Sequence, residues 1–107
     1  MKRAKALRSF RRNLLGDLYS GPPFEILLHL YEAHLQQLKE SITSLTEGAG
    51  LALTTTMRWT ERLEGEGLIA IEVDKFDARR RYVQLSSAGA DLMNKYFLGA
   101  STHLIAA

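Results

Sequence analysis

The chain contains no cysteine in its 107 residues. That excludes a disulfide framework, a thiolate metal site and a thiol nucleophile, and it fits a reducing compartment. Histidine is scarce. His29 and His34 stand five apart rather than at the i, i+4 spacing of a zinc pair, and no neighbouring residue completes a metal site. No carboxylate-and-nucleophile arrangement and no glycine-rich phosphate loop is present, and "GAG" and "GEG" read as helix stops. These absences point away from an enzyme and imply no cofactor. No apolar run approaches the roughly 18–20 residues of a membrane span. The start, "MKRAKALRSFRRNLLGDLYS", lacks the uninterrupted apolar stretch of a secretory signal, although its acid-free, arginine-rich pattern would also suit a mitochondrial targeting segment.

What is present is a segregated charge. The net charge of +2 conceals a first segment with Lys2, Arg3, Lys5, Arg8, Arg11 and Arg12 and no acid before Asp17. Later basic residues gather at Arg58 and Arg62 and again from Lys75 to Arg81. Clustering of this kind says more about a polyanionic partner than the net value does. A basic tail can equally serve solubility.

The apolar periodicity gives the order of elements. Leu7, Phe10, Leu14, Leu15 and Leu18 have helical spacing, so residues 1–20 read as a basic amphipathic arm or helix. Gly21, Pro22 and Pro23 break the chain, and residues 21–107 read as one domain. From Phe24, positions 24, 27, 28, 31, 35 and 38 predict the buried face of a central helix, widened by Ile26, Leu30 and Ala33. A connector at 39–42, with a short strand near Ile42, precedes a short helix capped by Ser41 or Thr43. The next helix is expected to start with Thr54 as its cap and to stop at Gly67. "LIAIEV" and "RYVQL" alternate as strands around the loop "DKFDARR", and Ser86 or Ser87 caps the last helix. The fold class is therefore mainly α with a small antiparallel β-hairpin.

A short helix, a tight turn and an amphipathic helix form a helix-turn-helix, and the hairpin that follows is a wing. The segment "ITSLTEGAGLALTTTMRWTERLEGEGLIAIEVDKFDARRRYVQLSSAG" resembles the MarR-like winged-helix family. The features that carry the resemblance are "RLEGEGL" and a wing motif formed by Asp77, Arg79, Val83, Leu85, Ser86 and Gly89. Leu53 stands where that family usually has a small polar residue. The resemblance implies a bacterial cytoplasmic transcription regulator with double-stranded DNA as its partner. It also implies a homodimer through the terminal helices, and it names no effector.

Chemistry assigns the contacts. Thr54, Thr55 and Arg58 occupy the leading end of the recognition helix, where an arginine can grip guanine O6 and N7 in the major groove. Arg62, one turn on, meets a phosphate or pairs with a glutamate. Trp59 falls on the apolar face and is expected in the core. In the wing, Asp77 orients the loop, Arg79 enters the minor groove, and Lys75 and Arg80 flank it on phosphates. Arg81 lies along the returning strand. Two competing readings stand beside this one. The arginines could be consumed by Glu72, Asp74 and Asp77, or the chain could be a winged-helix protein-interaction module without direct DNA binding. The acids of residues 17–57, which face Lys39 alone, favour the second of these.

Overall fold

The computed structural model describes residues 2–105, with side chains from residue 4 to residue 102. The side chains of Lys2 and Arg3, counted above among the basic residues, lie outside the described part. The elements run α1 (Lys2–Leu15), a 3-10 turn (Gly16–Leu18), α2 (Gly21–Leu35), β1 (Glu40–Ser41), α3 (Ile42–Ala49), α4 (Leu53–Gly65), β2 (Ile69–Val73), β3 (Arg81–Leu85) and α5 (Ser87–Ile105). The mainly helical class and the expected element order hold.

Helix α2 is the centre of the core. Its buried residues are Pro23, Phe24, Ile26, Leu27, Leu30 and Ala33. Leu35 and Leu38 are exposed, so the expected face is rotated by about one residue. The sequence "EILLHLYEAHL" is apolar at too many positions to fix the rotation. The partners fix it instead: Leu45 of α3, Leu63 of α4, Val83 of β3 and Met93 of α5 are all buried with α2 in one cluster. The helix also starts earlier than expected, at Gly21, with Pro22 in its first turn.

Helix α3 starts where expected. The Ser41 Oγ accepts the Ser44 backbone N–H and the Ser44 Oγ accepts the Ser41 backbone N–H, each at 3.0 Å. This reciprocal cap satisfies two of the helix's otherwise orphaned donors. Glu40 ties it inward, accepting the Ser44 hydroxyl and lying 3.4 Å from His29 Nε2 on α2.

Helix α4 stops at Gly67, whose φ of 77° suits a residue without a Cβ. There the Leu68 N–H reaches the Leu63 carbonyl at 3.0 Å and the Gly67 N–H the Glu64 carbonyl at 2.9 Å. The chain turns directly into β2.

The sheet has three strands in the order β1-β3-β2, all antiparallel. The hairpin was expected. The two-residue β1 was expected only as a strand near Ile42, and it adds a third strand, paired at Glu40↔Val83 and Ser41↔Tyr82. This pairing anchors the start of α3 to the wing strand β3.

Ser86 closes the base of the wing. Its N–H bonds the Leu68 carbonyl at 3.0 Å, and its hydroxyl donates to the Gly67 carbonyl at 2.6 Å. The same Oγ accepts the Gly89 N–H at 3.0 Å and so caps α5. Gly89 is required here by contact, because a Cβ would sit 2.0 Å from the Leu68 carbonyl oxygen.

Helix α1 lies against α5. The Phe10 ring occupies the notch at Gly99 and stacks with Tyr96 at 6.2 Å between centroids. The Arg11 guanidinium sits 4.5 Å over the Phe24 ring, and that of Arg12 sits 4.8 Å over Tyr19.

Candidate nucleic-acid interface

The position of α4 is set by Thr56, Thr60 and Leu63, all buried. Both threonines satisfy their hydroxyls on their own helix: Thr60 Oγ1 donates to the Thr56 carbonyl at 2.8 Å and Thr56 Oγ1 to the Ala52 carbonyl at 3.1 Å. The opposite face, at helical spacing, carries exposed Thr54, Arg58 and Glu61. Thr55 is half-buried on one flank. Leu53 and Met57 take the other flank, facing the wing, and are exposed by 52% and 50%.

Two expectations for α4 need correction. Thr54 is not the cap: the helix begins at Leu53, and Ala52 takes the cap position without a side-chain bond. Thr54 is exposed on the first turn of the helix. Trp59 is not fully buried either. It lies half-buried at the margin of the core, with the Arg62 guanidinium 4.8 Å over its ring.

Arg58 and Arg62 separate sharply. Arg62 is held by the Asp17 carboxylate of the 3-10 turn and by Glu66 Oε1 at 3.4 Å. The Asp17 hydrogen bond, ahead of the Glu66 contact, raises its pKa further. Arg58 makes no ion pair among the described residues. The glutamate pairing weighed for Arg62 is present, at Glu66, and has no counterpart at Arg58 among the described residues.

The wing loop, residues 74–80, is tied by its two aspartates. Asp77 Oδ1 accepts the Arg79 backbone N–H at 3.0 Å and the Arg79 Nε–H at 3.2 Å. The Arg80 N–H closes the turn on the Asp77 carbonyl at 2.9 Å. Asp74 Oδ1 accepts the Phe76 N–H at 2.7 Å, and its Oδ2 accepts the Tyr82 hydroxyl at 3.2 Å. The Phe76 N–H holds the Asp74 carboxyl below its usual range, against an opposing effect of burial and with help from Tyr82.

Local bonds thus occupy both loop acids. Glu72, the third, sits 3.9 Å from Lys39. Asp77 alone forms an ion pair with a wing arginine among the described residues, and the Arg79 side chain is still 93% exposed. Lys75, Arg80 and Arg81 are exposed beside it, with Arg80 5.6 Å over Tyr82. The structure therefore gathers Thr54 and Arg58 on one element and Lys75, Arg79 and Arg80 on the next, and sets Arg62 apart. Sequence reasoning missed Asp74 and Tyr82, whose only signal was an acid at the end of one strand and an aromatic residue on its partner. It also missed the outward flank of Leu53 and Met57.

Between α4 and the wing runs an open cleft of about 770 Å³, lined on one side by Leu53 and Met57 and on the other by Arg79, Arg80 and Arg81. Ser41 and Thr43 at the start of α3 form its end. No group of His, Cys, Asp or Glu among the described residues could hold a metal ion, and no helix among them is long and apolar enough to cross a membrane.

No family model and no curated protein matches the sequence. Solved structures do match. AbsC, a MarR family transcriptional regulator from Streptomyces coelicolor, aligns with a TM-score of 0.69 and 17% identity over 96% of this chain and 69% of its own. The chain has a MarR-like winged-helix fold. NadR in complex with 4-hydroxyphenylacetate aligns with a TM-score of 0.72 and 20% identity over 98% of this chain and 72% of that one. S. aureus MepR in its DNA-binding conformation gives a TM-score of 0.59 and 24% identity over 76% and 60%. In MarR-like terms, α3 and α4 form the helix-turn-helix, α4 takes the position of that fold's recognition helix, and the β2–β3 hairpin takes the position of its wing.

Proposed function

We propose that this chain is a DNA-binding transcriptional regulator. Its α4 enters the major groove by its leading end, and its wing enters an adjacent minor groove. The observation that carries the reading is Arg58, which has no ion pair among the described residues. It projects with Thr54 from the outer face of the recognition helix, while the arginines of the wing project from the next element. Arg58 can form two bonds to one guanine, worth about 1–3 kcal/mol of discrimination. Thr54 and Thr55 offer hydroxyls to phosphates or base edges. Arg79 suits the negative potential of a narrow A·T-rich groove, and Lys75 and Arg80 suit the flanking phosphates. Arg62, bound to Asp17 and Glu66, braces α4 and is not part of this set.

Residues 1–20 act as an arm that braces α5, and the terminal helices pair two copies. Such a regulator works in the bacterial cytoplasm, on the nucleoid when bound. The sequence it reads, the direction of control and any effector lie outside this proposal.

Selection from random duplexes, followed by salt titration, tests the reading. Wild-type binding should weaken steeply with salt, and Arg58→Ala should flatten base preference at one position. A palindromic site with half-sites about one helical turn apart would report the dimer. Undetectable duplex binding at low salt would overturn the proposal. So would an Arg79→Glu variant with unchanged function, which would favour a protein partner instead.

A further inference from the structure

We infer that Leu53 and Met57 read thymine methyl groups, so that they set base specificity on the wing side of the recognition helix. The inference rests on the DNA-binding reading above and goes beyond it by naming the chemistry read. Both side chains are large and apolar, yet each is about half exposed at the leading end of α4. They stand at i and i+4, so they form one continuous apolar strip rather than two isolated spots. Neither contributes to the core: the buried positions of α4 are Thr56, Thr60 and Leu63.

The strip faces a cleft whose opposite wall is cationic. Arg79, Arg80 and Arg81 line that wall, and the one acid in the lining, Asp77, is already bonded to Arg79. An apolar protein partner would leave those arginines without counter-charges. A duplex satisfies both walls, because its phosphates and adjacent minor groove meet the arginines while its major-groove floor offers apolar surface. That apolar surface is the C5-methyl of thymine, the feature that distinguishes T from the other bases by non-polar contact. Thr43 at the end of the cleft provides a hydroxyl suited to the intervening phosphate.

The experiment uses the best duplex from a random selection with the full chain. Each thymine is replaced in turn by deoxyuridine, which removes only the methyl. Binding of the wild type should weaken about fourfold at one or two positions, the value expected for one buried methyl. Leu53→Ala and Met57→Ala should bind the thymine duplex more weakly and should no longer distinguish it from the uracil duplex at those positions. Their folding is checked by circular dichroism, and both sites are exposed. Wild-type binding that is indifferent to every replacement would overturn the inference and leave the DNA-binding reading intact. Variants that retain the wild-type response to deoxyuridine would overturn it too. Loss of all duplex binding by the wild type would instead remove the reading on which it rests.

Discussion

One oxygen of Asp77 accepts two hydrogen bonds from Arg79, one from its backbone N–H and one from its Nε–H. The aspartate and the arginine differ by only two positions, so the pair shapes the loop more than it cancels charge. The Arg79 terminal nitrogens remain available to a ligand, because the bond uses Nε and the side chain is 93% exposed.

This geometry separates aiming from neutralising. Asp77→Asn and Asp77→Ala both remove a negative charge from the proposed DNA-facing wing, and that change alone should tighten binding. Asparagine keeps the accepting oxygen and alanine does not. The alanine variant should therefore bind DNA about fivefold more weakly than the asparagine variant, equivalent to one net hydrogen bond of about 1 kcal/mol. Equal affinities in a fluorescence anisotropy titration would mean that Asp77 acts through charge alone.

The two arginines of α4 should respond in opposite ways. Arg58→Ala should lower DNA affinity and leave the melting temperature unchanged, since Arg58 has no ion pair among the described residues. Arg62→Ala should lower the melting temperature slightly by releasing Asp17 and uncovering Trp59, with little change in the salt slope of binding. By comparison, Arg80→Ala should reduce that slope by about 0.9 if Arg80 touches one phosphate. Thermal melts and salt titrations on the same three variants check all of this.

Acid should loosen the wing before the core. The Asp74 carboxyl lies below its usual range in the folded chain because the Phe76 N–H and the Tyr82 hydroxyl favour its ionised form. A depressed folded pKa stabilises the fold above the unfolded value and loses that contribution as pH falls through the folded one. Exchange of the Phe76 amide should therefore be protected near neutral pH, after correction for intrinsic rates, and lose protection below the ordinary aspartate range. Asp74→Asn should remove this pH dependence. An amide equally protected in both variants at every pH would show that Asp74 does not hold the loop.

Two glycine replacements should have opposite signs. Gly65→Ala places its Cβ in open space on a helical residue and should stabilise the protein by up to about 1 kcal/mol. Gly89→Ala drives a Cβ against the Leu68 carbonyl, a backbone atom that cannot rotate away. It should cost about 1–3 kcal/mol despite better helix propensity. Urea denaturation of both variants gives the comparison.

The order of elements was legible because local signals and the tertiary fold agree. Ser41 caps α3, Gly67 ends α4, and the alternation of "LIAIEV" and "RYVQL" matches strands β2 and β3. The rotation of α2 was not legible, because apolar residues occur around most of its circumference and packing partners alone choose among them. Two residues cannot show an alternation, so β1 offered little signal of its own. At the candidate interface, residue types pointed to α4 and the wing but not to the pairing. Nothing in the local sequence indicates that Asp17, 45 residues away, takes Arg62 while Arg58 has no ion pair among the described residues. The Thr54 cap failed for a simpler reason: Leu53 continues the helix one residue earlier, and Ala52 receives the two bonds of Thr56 through its carbonyl.

Ser86 has a mechanical consequence. Its bonds to Gly67, Leu68 and Gly89 rivet the end of the recognition helix, the base of the hairpin and the head of α5 at a single point. The hairpin extends from that shared point to a far end at Phe76, 97% exposed. Under the proposed function, the spacing of the two DNA-reading elements would follow the pose of the last helix, and a molecule that gripped α5 would alter DNA binding without touching the DNA.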